Sequence, residues 1–244
     1  MNALRFASVC FVITAGCLLT SCNESTEKKD SETVVTDTSS EMSAATPTSS
    51  IVSSPQLMVM VKHRVRDYAK WKTSYDEHDS LRLANGMHSY VIGRSLEDSN
   101  MLLVALKADD MARAKAFLKD PSLKAAMQKG GVTGNPVPVL ANIVWQDTAS
   151  LTAIRSMLTI NVKDWTAWQK AFEEGRAERL QNGVADRVYG YEVDNQNKVV
   201  LVTAITDTAK AHAYWTSDML KNRRAASGVI GTPERFTFQI VQRY

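Results

Sequence analysis

Cysteine is nearly absent from this chain of 244 residues, and its three cysteines fall within the first 22 positions. They are Cys10, Cys17 and Cys22. If Cys22 carries a lipid, as the residues around it predict, the mature protein has no free thiol. That excludes a cysteine nucleophile, a thiolate zinc site, an iron–sulfur cluster and structural disulfide bonds.

The chain also lacks a strong excess of one charge and any histidine-rich motif. Its 29 basic and 26 acidic residues are mixed, and a net charge of +3 argues against a nucleic-acid-binding protein. The four histidines, at positions 63, 78, 88 and 212, show no HxH or HExxH spacing, so no metal site is predicted. None is clearly an axial haem ligand, and the sequence indicates no other cofactor.

Residues 1–22 have the pattern of a targeting segment, with Arg5 before the apolar run "FASVCFVITAGCLLTS". The run is too short for a stable membrane span. It ends in "LTSC" at positions 19–22, which resembles a bacterial lipobox, in which the cysteine becomes the lipidated first residue of the mature protein. This resemblance predicts lipid attachment at Cys22, a membrane partner through that lipid, and a place in the bacterial cell envelope, at the outer membrane on its periplasmic or surface face. An ordinary cleaved signal, an uncleaved anchor and a second lipobox ending at Cys17 are the alternatives.

Residues 23–56 are rich in Ser, Thr, Glu, Asp and Lys and contain few residues to bury. Such a segment does not offset its ordering entropy, so we predict a disordered tether between the membrane and a globular body.

The sequence that follows the predicted tether contains an internal repeat. The stretch "DYAKWKTSYDEHDSLRLANG" from Asp67 is matched 97 residues later by "DWTAWQKAFEEGRAERLQNG" from Asp164. The same offset holds without a gap to Pro136 and Pro233. Internal duplication explains this match and predicts two repeats, residues 57–147 and 154–244.

Each repeat has the pattern strand–helix–strand–strand–helix–strand. Asp67 and Asp164 are placed to cap the first helix, which Asn-Gly ends, and Pro121 predicts a break in the second helix. The first and third strands are nearly continuous apolar runs, and the fourth contains Pro138, which only an edge strand tolerates. This order predicts an α+β fold of two ferredoxin-like βαββαβ repeats.

Two helices cover only one face of a four-stranded sheet. A single repeat would therefore expose a large apolar surface on the other face, and packing the two sheets against each other removes it. The sequence predicts a barrel formed within one chain.

The repeats resemble the dimeric α/β-barrel superfamily, near antibiotic-biosynthesis monooxygenases and small cyclase-like proteins. The resembling stretches are "VKHRVRDYAKWKTSYDEH", "LEDSNMLLVALKADDMARAKAFL" and "LKAAMQKGGVTGNPVPV", with a looser match in the second repeat. Members usually pair as homodimers, so the resemblance implies that a tandem chain forms the barrel as a monomer. It says little about activity, because the superfamily includes oxygenases, isomerases, haem enzymes and binding proteins.

Alternation along the second strand of each repeat suggests a polar face toward the barrel. Val91 and Gly93 recur as Val188 and Gly190, which predicts that this pair of positions packs beneath the helices. We expect the opposite face, together with a residue at the end of the first strand, to bind a ligand between the sheets; its residues are His63, His88, Tyr90, Arg94, Arg187, Tyr189 and Tyr191. The alternative is that these side chains lie at the barrel rim, partly in water.

Three functions are compatible with these observations, and catalytic residues are not identified. The first is a lipid-anchored protein that binds a small apolar or aromatic molecule, for which methionine-rich strands give an adaptable pocket. The second is a cofactor-independent monooxygenase, isomerase or cyclase with His88 or His63 as base and Arg94 or Arg187 stabilising an oxyanion. The third is a structural lipoprotein that binds a protein partner through its outer helices. The first is preferred, because the repeats share no polar residues that would form symmetric active sites.

Overall fold

A computed structural model describes residues 50–149 and 151–244 of the protein. The predicted targeting segment, the lipid attachment at Cys22 and most of the predicted tether lie outside the described residues. Among the helices of these two described ranges, none is both long and apolar enough to cross a bilayer.

The first repeat follows a two-residue strand, and its order is that predicted. Its elements are β1 (Ile51–Val52), β2 (Gln56–Val65), α1 (Tyr68–Glu77), α2 (Asp79–Ala84), β3 (Met87–Ser95), β4 (Met101–Ala108), α3 (Met111–Phe117), α4 (Pro121–Lys129) and β5 (Val132–Asp147).

The second repeat has the same order from its first strand onward. Its elements are β6 (Ile154–Val162), α5 (Trp165–Glu174), α6 (Arg176–Gln181), β7 (Val184–Glu192), β8 (Asn195–Ile205), α7 (Thr208–Thr216), α8 (Asp218–Ala226) and β9 (Val229–Arg243).

The strands form one closed antiparallel barrel. Their order is β1-β5-β2-β4-β3-β9-β6-β8-β7, and pairing of β5 with β7 closes the ring. Each repeat's second strand is hydrogen-bonded to the fourth strand of the other repeat, in the β3–β9 and β5–β7 ladders. The fold is confirmed as two βαββαβ repeats in an intramolecular α/β barrel, and the two sheets are continuous across both seams.

The sheet positions also agree with the sequence. Strand β2 lies between β4 and β5, and β6 lies between β8 and β9, so the most apolar strands are internal. Pro138 is opposite Val61 of β2 and precedes the part of β5 that pairs with β7. Because β5 has only one neighbouring strand at this position within the described ranges, the missing N–H of proline costs no hydrogen bond to a second strand.

The core has an inner and an outer part. Met58, Met60, Leu103, Met157 and Phe238 belong to a cluster inside the barrel. Further clusters lie on the outer face of the sheet, where the helices of each repeat cover it. Both faces of the internal strands are therefore buried, which explains their unbroken apolar sequence.

The first helix of each repeat is broken, which the sequence interpretation missed. α1 ends and α2 begins around His78, whose Nδ1 lies 2.6 Å from the carbonyl oxygen of Ser74. In the second repeat the break is at Gly175, a poor helix former. The predicted ends are confirmed, because Gly86 and Gly183 have φ of 66° and 73°.

The end of the predicted tether differs from expectation. Ile51 and Val52 form β1 against Asp147 and Gln146, and the Ser50 carbonyl accepts a hydrogen bond from the Thr148 amide. Strand pairing thus includes residues that the prediction assigned to the tether, because the end of β5 offers edge groups to pair.

Candidate functional site: a cavity beneath the helices of the first repeat

Beyond a β-bulge in each second strand, the faces are opposite to those predicted. Val91 belongs to the cluster inside the barrel, and a Cβ at Gly93 would lie 2.2 Å from the Phe238 ring, also inside. Ile92 is packed in the outer cluster beneath the helices. The expectation that positions 91 and 93 face the helices is wrong.

Two of the predicted residues face the barrel, and each lies at a β-bulge. Tyr90 and Arg187 occupy equivalent positions, each at a register shift in its strand, and both line a cavity of about 70 Å³ within the barrel. Gln146 donates a hydrogen bond from Nε2 to the Tyr90 hydroxyl, and Arg187 Nη1 lies 2.9 Å from Asp147 Oδ2. The extra residue reverses the alternation beyond it, so Val91 and Val188 also face inward, which periodicity alone does not predict.

His88 and Arg94 do not join them. The His88 side chain is about half exposed, and its Nε2 lies 3.0 Å from Asp109 Oδ1. Arg94 lies over the Tyr68 ring at 4.3 Å and donates to the carbonyl of Ser99. Both are outside the barrel cavity.

Tyr189 and Tyr191 face the helices of the second repeat. The Tyr189 ring is stacked on Trp145 at 5.3 Å, and its hydroxyl donates to Glu173. Burial and this carboxylate raise the Tyr189 pKa. Tyr191 accepts a hydrogen bond from Asn142 Nδ2 at 2.9 Å.

His63 lies in a different cavity, between the first repeat's helices and the outer face of its sheet. Its side chain points from β2 toward α1, with the ring centroid 5.5 Å from that of Trp71. The cavity has a volume of about 70 Å³, and its walls are mostly apolar; Met87, Leu106, Phe117 and Met127 line it together with His63.

The electrostatics of His63 are unusual. The residue is 4% exposed, and neither ring nitrogen has a hydrogen-bond partner among the described residues. Burial lowers the His63 pKa from 6.5 to about 4, and the nearby main chain of Val61 opposes this only in part. His63 is therefore neutral at neutral pH, with one donor and one acceptor available to the cavity.

The other titratable or charged side chains of this cavity are already engaged. Arg82 donates to the Tyr75 carbonyl at 2.6 Å, to Asp79 at 2.9 Å and to Ser89 at 3.2 Å. The Tyr75 hydroxyl lies 2.7 Å from Ser89 Oγ, and burial raises its pKa. Since their hydrogen bonds are made within the protein, His63 is the group positioned to recognise a ligand atom.

An open groove adjoins the cavity. It has a volume of about 410 Å³ and shares Val61, Leu118, Leu123 and Met127 with the cavity walls. Helix α4 contributes Leu123 and Met127, and none of its residues is fully buried. Leu123 and Met127 are only partly buried and line both the groove and the cavity that contains His63.

The equivalent cavity of the second repeat has diverged. Ile160 occupies the position of His63, and Arg223 and Arg224 occupy those of Ala126 and Met127. The sequence signal for the first-repeat site was thus a histidine without a counterpart in the duplicate. The cavity around it was not predicted, because it needs the break between α1 and α2 and the packing of α4.

Several solved structures share this fold. The chain is similar to an anthrone oxidase-like protein, with 14% identity, 80% of this chain and 95% of that chain covered, and a TM-score of 0.57. It is similar to a candidate monooxygenase from Fusobacterium nucleatum subsp. nucleatum, with 12% identity, 77% and 93% covered, and a TM-score of 0.52. A candidate chlorite dismutase is 12% identical, with 77% and 95% covered and a TM-score of 0.52.

The fold is that of the dimeric α/β barrels. No family model matches the chain, and no curated protein matches its sequence. At these identities the similarity shows the shared fold and does not indicate the activity of this protein.

A haem does not fit the first-repeat cavity as it stands. A cavity of about 150 Å³ accommodates one benzene molecule. The volume beside His63 is about 70 Å³, far below the size of a porphyrin.

Proposed function

We propose that this protein binds a small apolar or aromatic molecule in the first-repeat cavity, with His63 hydrogen-bonded to its single polar group. The observation that carries this proposal is the buried imidazole with two unpartnered nitrogens in an apolar cavity. A buried polar group without a partner costs about 1–3 kcal/mol, and a ligand that pairs with it removes this cost.

Cavity size limits the ligand and suggests its route. About 70 Å³ is roughly half the volume that holds benzene. Rotation of Leu123 and Met127 would join the cavity to the groove of about 410 Å³, within the usual range of ligand sites. The ligand would then enter beside α4 with its polar atom toward His63.

A binding role has more support than the oxygenase, isomerase or cyclase alternative. A pKa of about 4 makes His63 a weak base, whereas proton abstraction at neutral pH favours a base with a pKa near 7. The two predicted oxyanion partners, Arg94 and Arg187, lie elsewhere, and Arg82 is held by protein acceptors.

We also propose that the barrel is tethered by a lipid on Cys22 in the cell envelope, on the basis of the "LTSC" pattern. Cys22→Ser should move the protein from the membrane to the soluble fraction and abolish labelling by a fatty acid. Cys17→Ser, at the weaker candidate, should change neither. Continued labelling of the Cys22 variant would contradict the assignment.

The binding proposal is tested first by native mass spectrometry of the full-length protein for a retained small molecule. Indole, an aromatic molecule with one N–H, is then titrated while the labelled methyl groups of Met87 and Met127 are followed by NMR. His63→Ile, which installs the second-repeat residue, should weaken indole binding by about three- to tenfold, the value of one hydrogen bond.

His212→Ala, on the exposed face of α7, is the matched control and should bind indole as the unmodified protein does. Equal indole affinity in the His63 variant, or shifts confined to Met58 and Met60 inside the barrel, would contradict the site.

A further inference from the structure

The two repeats contribute chemically different side chains to the cavity inside the barrel. Three positions that line it recur 97 residues later, and at each of them the second repeat has arginine. The pairs are Met58 and Arg155, Tyr90 and Arg187, and Gln146 and Arg243. At these three positions the first repeat thus has one apolar and two polar side chains, whereas the second repeat has three cationic ones.

The topology brings these six positions to one end of the barrel. They lie near the starts of β2, β3, β6 and β7 and near the ends of β5 and β9. Because neighbouring strands are antiparallel, those starts and ends meet at the same rim.

The positive charge at this rim exceeds its negative charge. Arg187 is paired with Asp147, and a carboxylate partner is not found for Arg155 or Arg243 among the described residues. Arg155 is 4% exposed and donates only to the carbonyl oxygens of Thr152 and Ile154.

Within residues 50–149 and 151–244, the buried guanidinium of Arg155 has no carboxylate partner. Burial, followed by the like charges of Arg187 and Arg243, lowers the Arg155 pKa to about 10, so it is still charged at neutral pH. A buried cation is tolerated when it has a counter-charge. An anion entering the rim would supply one.

A neighbouring amide is also incompletely paired. Gln146 is 2% exposed, and its Oε1 has no hydrogen-bond partner among the described residues, while Nε2 donates to Tyr90. Rotation of this amide lets Oε1 accept from the Tyr90 hydroxyl and presents two N–H donors to the cavity.

Below the rim the cavity becomes apolar. Met58, Met60, Leu103, Val202 and Phe238 form its floor. A ligand that suits both ends has an anionic head and a short apolar tail.

We propose that the rim formed by Arg155, Arg187 and Arg243 binds a small monocarboxylate whose short alkyl tail enters the barrel between Met58 and Phe238. A planar carboxylate matches the fork of a guanidinium. The volume of about 70 Å³ limits the tail to a few carbons. Inorganic phosphate would satisfy the charge and leave the apolar floor without contacts.

The experiment is a titration of the full-length protein, with labelled methionine methyl groups, with butyrate at constant ionic strength. Met58 and Met60 line the barrel cavity, whereas Met87 and Met127 line the first-repeat cavity, so NMR distinguishes the two sites. Saturable shifts of Met58 and Met60 with unchanged Met87 and Met127 are expected. Butyramide, which has the same tail without the charge, should cause no saturable shift.

The variant Arg155→Met installs the residue that the first repeat has at this position. It should weaken butyrate binding at least tenfold, because it removes a charge-assisted contact. Butyrate should raise the melting temperature of the unmodified protein and not that of this variant. If the variant does not fold, the comparison of butyrate with butyramide decides the question alone.

Three results would overturn the proposal: no shift with butyrate, equal shifts with butyramide, or stronger binding of phosphate than of butyrate at this rim. Shifts of Met87 and Met127 by butyrate would also overturn it, since they would place the ligand in the other cavity. The indole titration follows Met87 and Met127 of the first-repeat cavity, whereas the butyrate titration follows Met58 and Met60 of the barrel cavity. The ligand proposal for one cavity can therefore fail while that for the other holds.

Discussion

His63→Ile should make the protein more stable and remove part of its sensitivity to acid. The variant replaces a buried, unpartnered imidazole with the side chain that the second repeat buries at the equivalent position, where Ile160 is 5% exposed. Removing an unsatisfied buried polar group without leaving a cavity should stabilise the fold by about 1–3 kcal/mol near neutral pH.

The pH dependence follows from the lowered pKa of His63. Its pKa is about 4 in the folded protein against 6.5 in the unfolded chain, so the unfolded chain binds the proton more tightly. Stability from this group is fully present above about pH 6.5, falls as the pH drops toward 4 and is lost below it. Relative to neutral pH, the loss is about 1.4 kcal/mol at about pH 5.5 and about 2.5 kcal/mol at about pH 4.5.

The assay is urea unfolding of the unmodified protein and the His63 variant at several pH values. The difference between their free energies of unfolding isolates this residue, because all other titrating groups are common to both. His212→Ala, at an exposed histidine, is the control for the loss of a histidine outside the core. A difference between the two proteins that does not vary with pH would refute the argument that burial lowers the His63 pKa in the folded protein.

Two further predictions concern the barrel and its outer layer. Gly190→Ala should destabilise the protein by at least about 3 kcal/mol in urea unfolding, because the new Cβ would lie 2.1 Å from a backbone oxygen of β5 at the seam. Gly93→Ala should cost less, since its clash at 2.2 Å is with a ring that can turn; equal losses would contradict this reasoning. Asp186→Ala should cost about 3–5 kcal/mol, because it leaves the buried Arg179 without its partner 2.6 Å away. Ser89→Ala, at the equivalent position in the first repeat, should cost about 1 kcal/mol, and a similar loss in both variants would argue against a buried ion pair.

The sequence determined the architecture because its signals are local and occur twice. Capping aspartates, Asn-Gly helix ends and apolar runs at a constant offset of 97 residues specify the element order of both repeats. The need to cover a second apolar sheet face then implies that the repeats pair. The break before Pro121, which has no proline counterpart in the second repeat, and the internal position of β2 were also predicted correctly.

Only the tertiary structure decided where the polar side chains point. Period-two alternation predicts two faces, and a single extra residue at a β-bulge reverses the assignment on one side of it. Tyr90 and Arg187 face the barrel, but the bulge beside each makes the next residue, Val91 or Val188, face inward as well. Ile92 and Arg94 therefore face the helices. The sequence interpretation placed His63 between the sheets, but its side chain lies beneath the helices of the first repeat. The direction of a side chain at the end of β2 depends on strand register and packing, which local sequence does not encode.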